Sequence, residues 1–306
     1  MQLRTLAPAR LAAGLAALLM WVSAGSWAQG VTLFPAPGSE GSGQRELEAF
    51  AQAYPDRISQ AAQHDGDWAV QVEGQWFFWA HGRILPETQR ADWQRFARFR
   101  FYPYPLGSLP PLLQLDAQTA ARLEKALKEA RLNPPRRSED FLERLYGASS
   151  RRETEGHIVT VDFLGFPVRV HERIAHALAG VASECEALRS TDPTAKAFFA
   201  GLSEMDGFNY RDVAGTATRS YHSYGLALDL IPRSYGGKAA YWRWVMENTE
   251  QWWTTPYEKR WMVSLSVVAA FEKQGFVWGG KWLFFDTIHF EYRPEIFILA
   301  REQRAS

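Results

Sequence analysis

The sequence predicts an α+β fold, with helices packed on a small, mainly antiparallel sheet and a smaller N-terminal α+β region ahead of it. Three observations carry this expectation. Ile158-Val159-Thr160-Val161-Asp162-Phe163 and Pro167-Val168-Arg169-Val170 read as two short strands around a Leu164-Gly165 turn. Ile174, Leu178, Val181, Cys185 and Leu188 then recur at helical spacing, as a buried stripe does. Phe276-Val277-Trp278 enters a further strand, which Gly279-Gly280 turns.

Bulk properties agree with a folded chain. At 306 residues, 46% hydrophobic and 14% aromatic, it is long enough for one large or two modest domains with real cores. Acidic and basic residues balance at 34 each, so no overall field favours nucleic acid or an anionic membrane. Cys185 is the single cysteine, which excludes an intrachain disulfide; its place in the apolar stripe suits a small core residue.

In chain order, residues 1–28 read as an export signal. Arg4 and Arg10 precede the apolar run Leu11 to Val22, and small residues Ser26 and Ala28 offer a cleavage site. The expected destination is periplasmic or secreted, with no stable membrane span once the signal is removed. Residues 29–43, rich in Pro, Gly and Ser, read as a flexible lead-in. Residues 44–154 form an N-terminal region of open role. It begins with a helix over Glu46 to Tyr54, then an aromatic hairpin from Trp68 to Trp79 with Glu73-Gly74 near its turn. Asp116 is placed to cap a helix bearing Leu123, Leu127 and Ala130, which Asn133-Pro134-Pro135 ends. Ser138 is placed to cap a shorter helix that stops at Gly147, and the flanking pairs Arg136-Arg137 and Arg151-Arg152 read as solvated charge. Residues 155–306 hold the chemistry. Here Thr255-Pro256 reads as a helix start, Val263, Val267, Val268 and Phe271 as its buried face, and Gly275 as its stop.

Two motifs stand out: Ser220-Tyr221-His222-Ser223-Tyr224-Gly225-Leu226-Ala227-Leu228-Asp229, and Asp286-Thr287-Ile288-His289-Phe290-Glu291. A hydrolytic zinc site needs about three protein ligands and an open position where bound water becomes acidic. His222, Asp229 and His289 supply that count. The gap from His222 to Asp229 does not fit one helical face; with Gly225 between them it suits a loop or bulge feeding a strand. His289 and Glu291 alternate with Phe290 and Tyr292, as on a strand with one face toward a site. Asp286 stands where that strand begins and reads as a general base. Arg211 and Arg219 are the cations available to a developing oxyanion. His64, His81, His157, His171 and His176 read as structural, and Trp278, Trp282 and Tyr224 as either cleft lining or core.

The two motifs resemble the signature of the D-alanyl-D-alanine carboxypeptidase and L-alanyl-D-glutamate endopeptidase family of zinc peptidases, Ser-x-His-x-x-Gly-x-Ala-x-Asp followed by an acidic residue-x-x-His. Every signature position is filled, from Ser220 to Asp229 and from Asp286 to His289. The likeness extends to Phe208-Asn209-Tyr210-Arg211 with Gly215 and to Gly275 through Trp282, and spans roughly residues 155 to 300. It implies zinc on His222, Asp229 and His289, Asp286 as base, Arg211 rather than Arg219 at the substrate or oxyanion, and peptidoglycan stem peptides as substrate. Many relatives carry glutamate where this chain has Asp286. The stretch Gly275 to Trp282 looks most like the endopeptidase branch, and a carboxypeptidase is the close alternative. A second expectation, of another kind, is a non-catalytic zinc-containing module that binds the cell wall.

Overall fold

Two-residue turns shape the first half of the chain. In the computed structural model, which describes residues 41–134, 136–213 and 216–305, helix α1 (Gln44–Ala53) leads into strands β1 (Ile58–His64), β2 (Asp67–Val72), β3 (Gln75–Ala80) and β4 (Arg83–Pro86). Asp65-Gly66, Glu73-Gly74 and His81-Gly82 join them, all six residues at positive φ between 46° and 87°. That geometry matches the twist of paired strands, so the four form an antiparallel meander in sequence order. The hairpin expected around Glu73-Gly74 is its centre, and the expected first helix lies two residues earlier in the chain. The export signal, residues 29–40 of the lead-in, Pro135 and Gly215 lie outside the described residues. Gly43, the last residue of the lead-in, is buried.

A short helix α2 (Glu87–Arg90) follows, then an extended stretch, α3 (Ala117–Leu132), α4 (Asp140–Tyr146) and α5 (Arg151–Gly156). Asp116 caps α3 as expected, its side chain accepting from the Thr119 amide at 2.7 Å. At α4 the cap differs from expectation. Glu139 occupies the N-cap position, and Ser138 donates to the Asp140 carboxylate at 2.9 Å. Gly147 does end α4, in the left-handed conformation. Arg137 also departs from its reading as solvated charge. It is buried, pairs with Glu139 at 2.8 Å and lies over the Tyr221 ring.

Strands β5 (Ile158–Phe163) and β6 (Phe166–His171) form the expected ribbon around Leu164-Gly165, and α6 (Glu172–Thr191) buries Ile174, Leu178, Val181 and Cys185. Helix α7 (Pro193–Ala200) leads to β7 (Leu202–Asp206), β8 (Ala227–Pro232), the short helix α8 (Trp242–Met246), α9 (Leu265–Lys273), β9 (Phe276–Trp278), β10 (His289–Tyr292) and α10 (Pro294–Ala305). The second sheet runs β7-β8-β10-β9, antiparallel throughout. The fold is therefore α+β, as expected. Helix α9 begins ten residues or so after the expected start: Thr255 donates to the Trp252 carbonyl and Pro256 precedes a single 3-10 turn, Tyr257–Lys259. The expected apolar face, Val263, Val267, Val268 and Phe271, is nonetheless buried.

One hydrophobic cluster spans both halves. It joins Leu47, Phe50, Tyr54, Val70 and Phe77 to Phe163, Val170, Ile174, Leu228 and Phe290. Helix α1 lies against α10, and Arg45 reaches Glu302 at 3.4 Å. No helix among the described residues is long and apolar enough to cross a membrane.

His171 closes β6 and starts α6. Its Nε2 donates to the Tyr146 carbonyl at 2.9 Å and its Nδ1 accepts from the Arg173 amide, so the buried ring is held neutral. Burial, with the neighbouring His157, lowers its pKa from 6.5 to about 4 against the opposing Tyr146 bond. In that interval the unfolded chain takes up the proton first, so this stability is complete above about pH 6.5 and drains as pH falls toward 4. We expect about 2 kcal/mol of it to be lost between pH 7 and pH 5. Melting curves of wild type and His171→Gln at both values check this; equal pH slopes would show that another group is responsible.

Candidate metal centre

Strand register builds the site. Asp229 on β8 lies directly opposite His289 on β10 and, on its other side, opposite Asp206 on β7. His222 arrives from a 3-10 turn, Tyr221–Tyr224, in which its own amide donates to the Ser220 hydroxyl at 3.3 Å. Gly225 then turns the chain into β8 at φ 70°, and a Cβ there would meet the His171 amide nitrogen at 2.6 Å. The glycine of the motif is thus required twice, by its dihedral and by the closeness of β6. The loop between His222 and Asp229 has the form expected from their spacing.

His222, Asp229 and His289 come together, all three buried, with ligand atoms within 4.8 Å of one another. His222 Nε2 lies 3.3 Å from Asp229 Oδ2, and His289 Nδ1 lies 2.8 Å from Oδ1 and 3.2 Å from His222 Nε2. The outward nitrogens have partners of their own. His222 Nδ1 donates to the Gly207 carbonyl at 2.6 Å, and His289 Nε2 reaches Glu291 Oε1 at 3.2 Å. With their protons on those outward nitrogens, both imidazoles turn lone pairs toward a carboxylate and toward each other. A cluster of acceptors with no donor between them calls for a cation, so the residues present fit a metal ion.

The electrostatics agree. Burial alone would raise Asp229, yet His222 and His289 hold it well below the ordinary carboxylate range. Burial alone would lower His289, but Asp229 and Glu291 raise it to about 10. The site therefore attracts positive charge, which a proton or a metal ion can supply. Asp286 behaves oppositely: burial and then the Asp229 charge push it up, and its Oδ1 is buried without a hydrogen-bond partner. A carboxyl with a raised pKa and a free oxygen is suited to exchanging protons.

Arg211 is half-buried and its charge acts on both Asp286 and Asp206, which brings it to the site. Arg219 points elsewhere and is no surface charge. Its guanidinium pairs with Glu143 at 3.2 Å, donates to the Ala148 and Ser223 carbonyls, and lies over Tyr224. Of the aromatic candidates, Tyr224 and Trp278 are core residues at 0% exposure, whereas Trp282 is half-buried with its ring 5.7 Å from His289. Of the five histidines read as structural, none joins the metal group.

Two contributors and one contact escape the sequence reading. Glu291 shares a strand face with His289, as the alternation predicts, but its bond to Nε2 depends on side-chain rotamers. Gly207 acts through its backbone carbonyl, for which residue type carries little signal. Tyr235 follows β8 in a loop; burial and then the charges of Asp286 and Asp229 push its hydroxyl up to about 12, which places it beside the centre.

A buried His, Asp and His group, two of them paired across an antiparallel sheet, with a carboxyl beside it whose Oδ1 has no hydrogen-bond partner, defines a candidate metal-dependent hydrolase. More narrowly, residues 214–292 match the family model described as D-alanyl-D-alanine carboxypeptidase, and so support a peptidase. That stretch contains His222, Asp229, Asp286 and His289. Residues 46–101 match a family described only as a domain of unknown function. No curated protein and no solved structure matches the chain.

Glu291 holds the outward nitrogen of His289 and is itself buried, kept charged by His289, Arg293 and Arg100 against the pull of burial. Glu291→Gln leaves the shape but weakens that hold. We expect it to lower metal affinity about 10- to 100-fold, as measured by competition with a chromophoric chelator.

Proposed function

We propose that the protein is a zinc metallopeptidase that hydrolyses peptide bonds in peptidoglycan stem peptides, with residues 155–306 as its catalytic part. The observation that carries this reading is the unpartnered Oδ1 of the buried Asp286 carboxyl beside the His222, Asp229 and His289 group, inside the stretch that matches the carboxypeptidase family. His222 Nε2, Asp229 and His289 Nδ1 would hold the ion. Zinc bound there supplies Lewis acidity and brings the pKa of water to about 7.

The chain's own residues do the rest. Asp286 takes the proton of the attacking water at its free Oδ1 and returns it to the departing amine. Arg211 holds negative charge, either a stem-peptide carboxylate or the oxygen of the scissile carbonyl. The half-buried Trp282 offers an apolar wall beside His289. An exported chain, as residues 1–28 lead us to expect, meets this substrate outside the cytoplasm.

The opposing reading is a wall-binding module that keeps the metal for structure alone. A purely structural ion has no use for a free buried carboxyl, which favours the enzyme. Defined pentapeptide muropeptides, incubated with the zinc-loaded protein and read by mass spectrometry, decide the matter. Loss of one D-alanine, abolished by chelator, marks a carboxypeptidase, and a cut after L-alanine marks an endopeptidase. Zinc-loaded protein that yields no product favours the binding module. Asp286→Asn should keep zinc and lower turnover by at least about 100-fold; undiminished turnover in that variant rules Asp286 out as the base.

A further inference from the structure

The extended stretch between β4 and α3 crosses from the first sheet to the metal centre. Along it the Arg100 carbonyl accepts from Arg293 at 2.8 Å, and the Tyr102 hydroxyl accepts from the Trp282 indole N–H at 3.0 Å. The Tyr104 hydroxyl donates to Glu272 at 2.6 Å and accepts from the Trp278 amide at 2.9 Å. The Pro105 carbonyl accepts from Lys281 at 2.7 Å, and the Pro110 carbonyl accepts from Tyr257 at 2.6 Å. Three of these six anchors, on Trp278, Lys281 and Trp282, fall on one short segment a few residues before Asp286.

Two of them bear on one metal ligand. Trp282 stands 5.7 Å from His289 with the rings inclined at 57°, so the indole is a wedge beside the imidazole. Its N–H is directed to Tyr102, whose oxygen fixes which way the ring faces. On the far side, Arg293 lies 3.8 Å from Glu291, the residue holding His289 Nε2, and Arg293 is itself tied to Arg100. His289 is therefore supported from two directions by backbone or side chain of residues 100–102.

We propose that Tyr102 is a positioning residue for the metal centre, acting through Trp282 on His289. The N-terminal region, on this view, completes the centre rather than serving a separate wall-binding or inhibitory task. The proposal rests on the metal-binding reading above and adds to it a residue outside the matched peptidase stretch. Without the hydroxyl, the indole N–H loses its acceptor and the ring is free to turn away from His289.

Zinc affinity by chelator competition, and the visible absorption band of the cobalt-substituted protein, test it without any substrate. Tyr102→Phe should weaken zinc binding about 3- to 10-fold and shift the cobalt band, because a ligand held less firmly distorts the coordination. Trp282→Phe should act alike, and the double variant should be no worse than Trp282→Phe alone, since both remove one interaction. Should Tyr102→Phe fail to fold, Trp282→Phe carries the comparison. Tyr257→Phe breaks another anchor of the same stretch, the one to the Pro110 carbonyl, which does not involve Trp282; it should lower the melting temperature yet bind zinc as wild type does. Unchanged affinity and band in Tyr102→Phe, or an equal loss in Tyr257→Phe, overturns the proposal. A wild-type protein that binds no zinc overturns both this proposal and the metal reading beneath it.

Discussion

Asp229 facing His289 across β8 and β10 is the pairing on which the site depends. Because it is a register, it cannot shift by one residue without sending both side chains to the opposite face of the sheet. The register in turn is secured by apolar residues on either side, Leu228 opposite Phe290 and Phe290 opposite Trp278, all buried. Metal chemistry and core packing thus constrain the same strands. His222 joins only because Gly225 lets its turn run close under β6, where the His171 amide donates to the Gly225 carbonyl at 2.9 Å.

Much of this could be read from residue order. The ligands, the glycine between them and the free carboxyl form a local pattern, and short hairpins with X-Gly turns announce themselves by residue type. What could not be read depends on partners far away in sequence. Arg137 looks like one half of a basic pair, yet Glu139 and the face of Tyr221 make its burial tolerable. Arg219 sits beside the motif and still turns away, because Glu143 and the Ala148 carbonyl, both from other segments, claim it. Thr255-Pro256 has the form of a helix start, but the chain spends those residues on a single tight turn and delays α9.

Polar support for the centre is layered. Behind His289 stands Glu291, behind Glu291 stands Arg293, and Arg293 also bonds Glu295, which is buried. Alternating charges of this kind are costly to bury singly and tolerable only as a set. They give the centre a rigid foundation in α10, a helix whose other neighbour is α1.

That neighbour has a consequence for how the molecule comes into being. Helix α1 finds its seat on α10, so during synthesis it cannot dock there until α10 has emerged. Asp229 likewise waits for β10, which carries His289. An ion held by His222, Asp229 and His289 together could therefore bind only once β10 has paired with β8, so the metal available when that pairing forms would decide which ion it is.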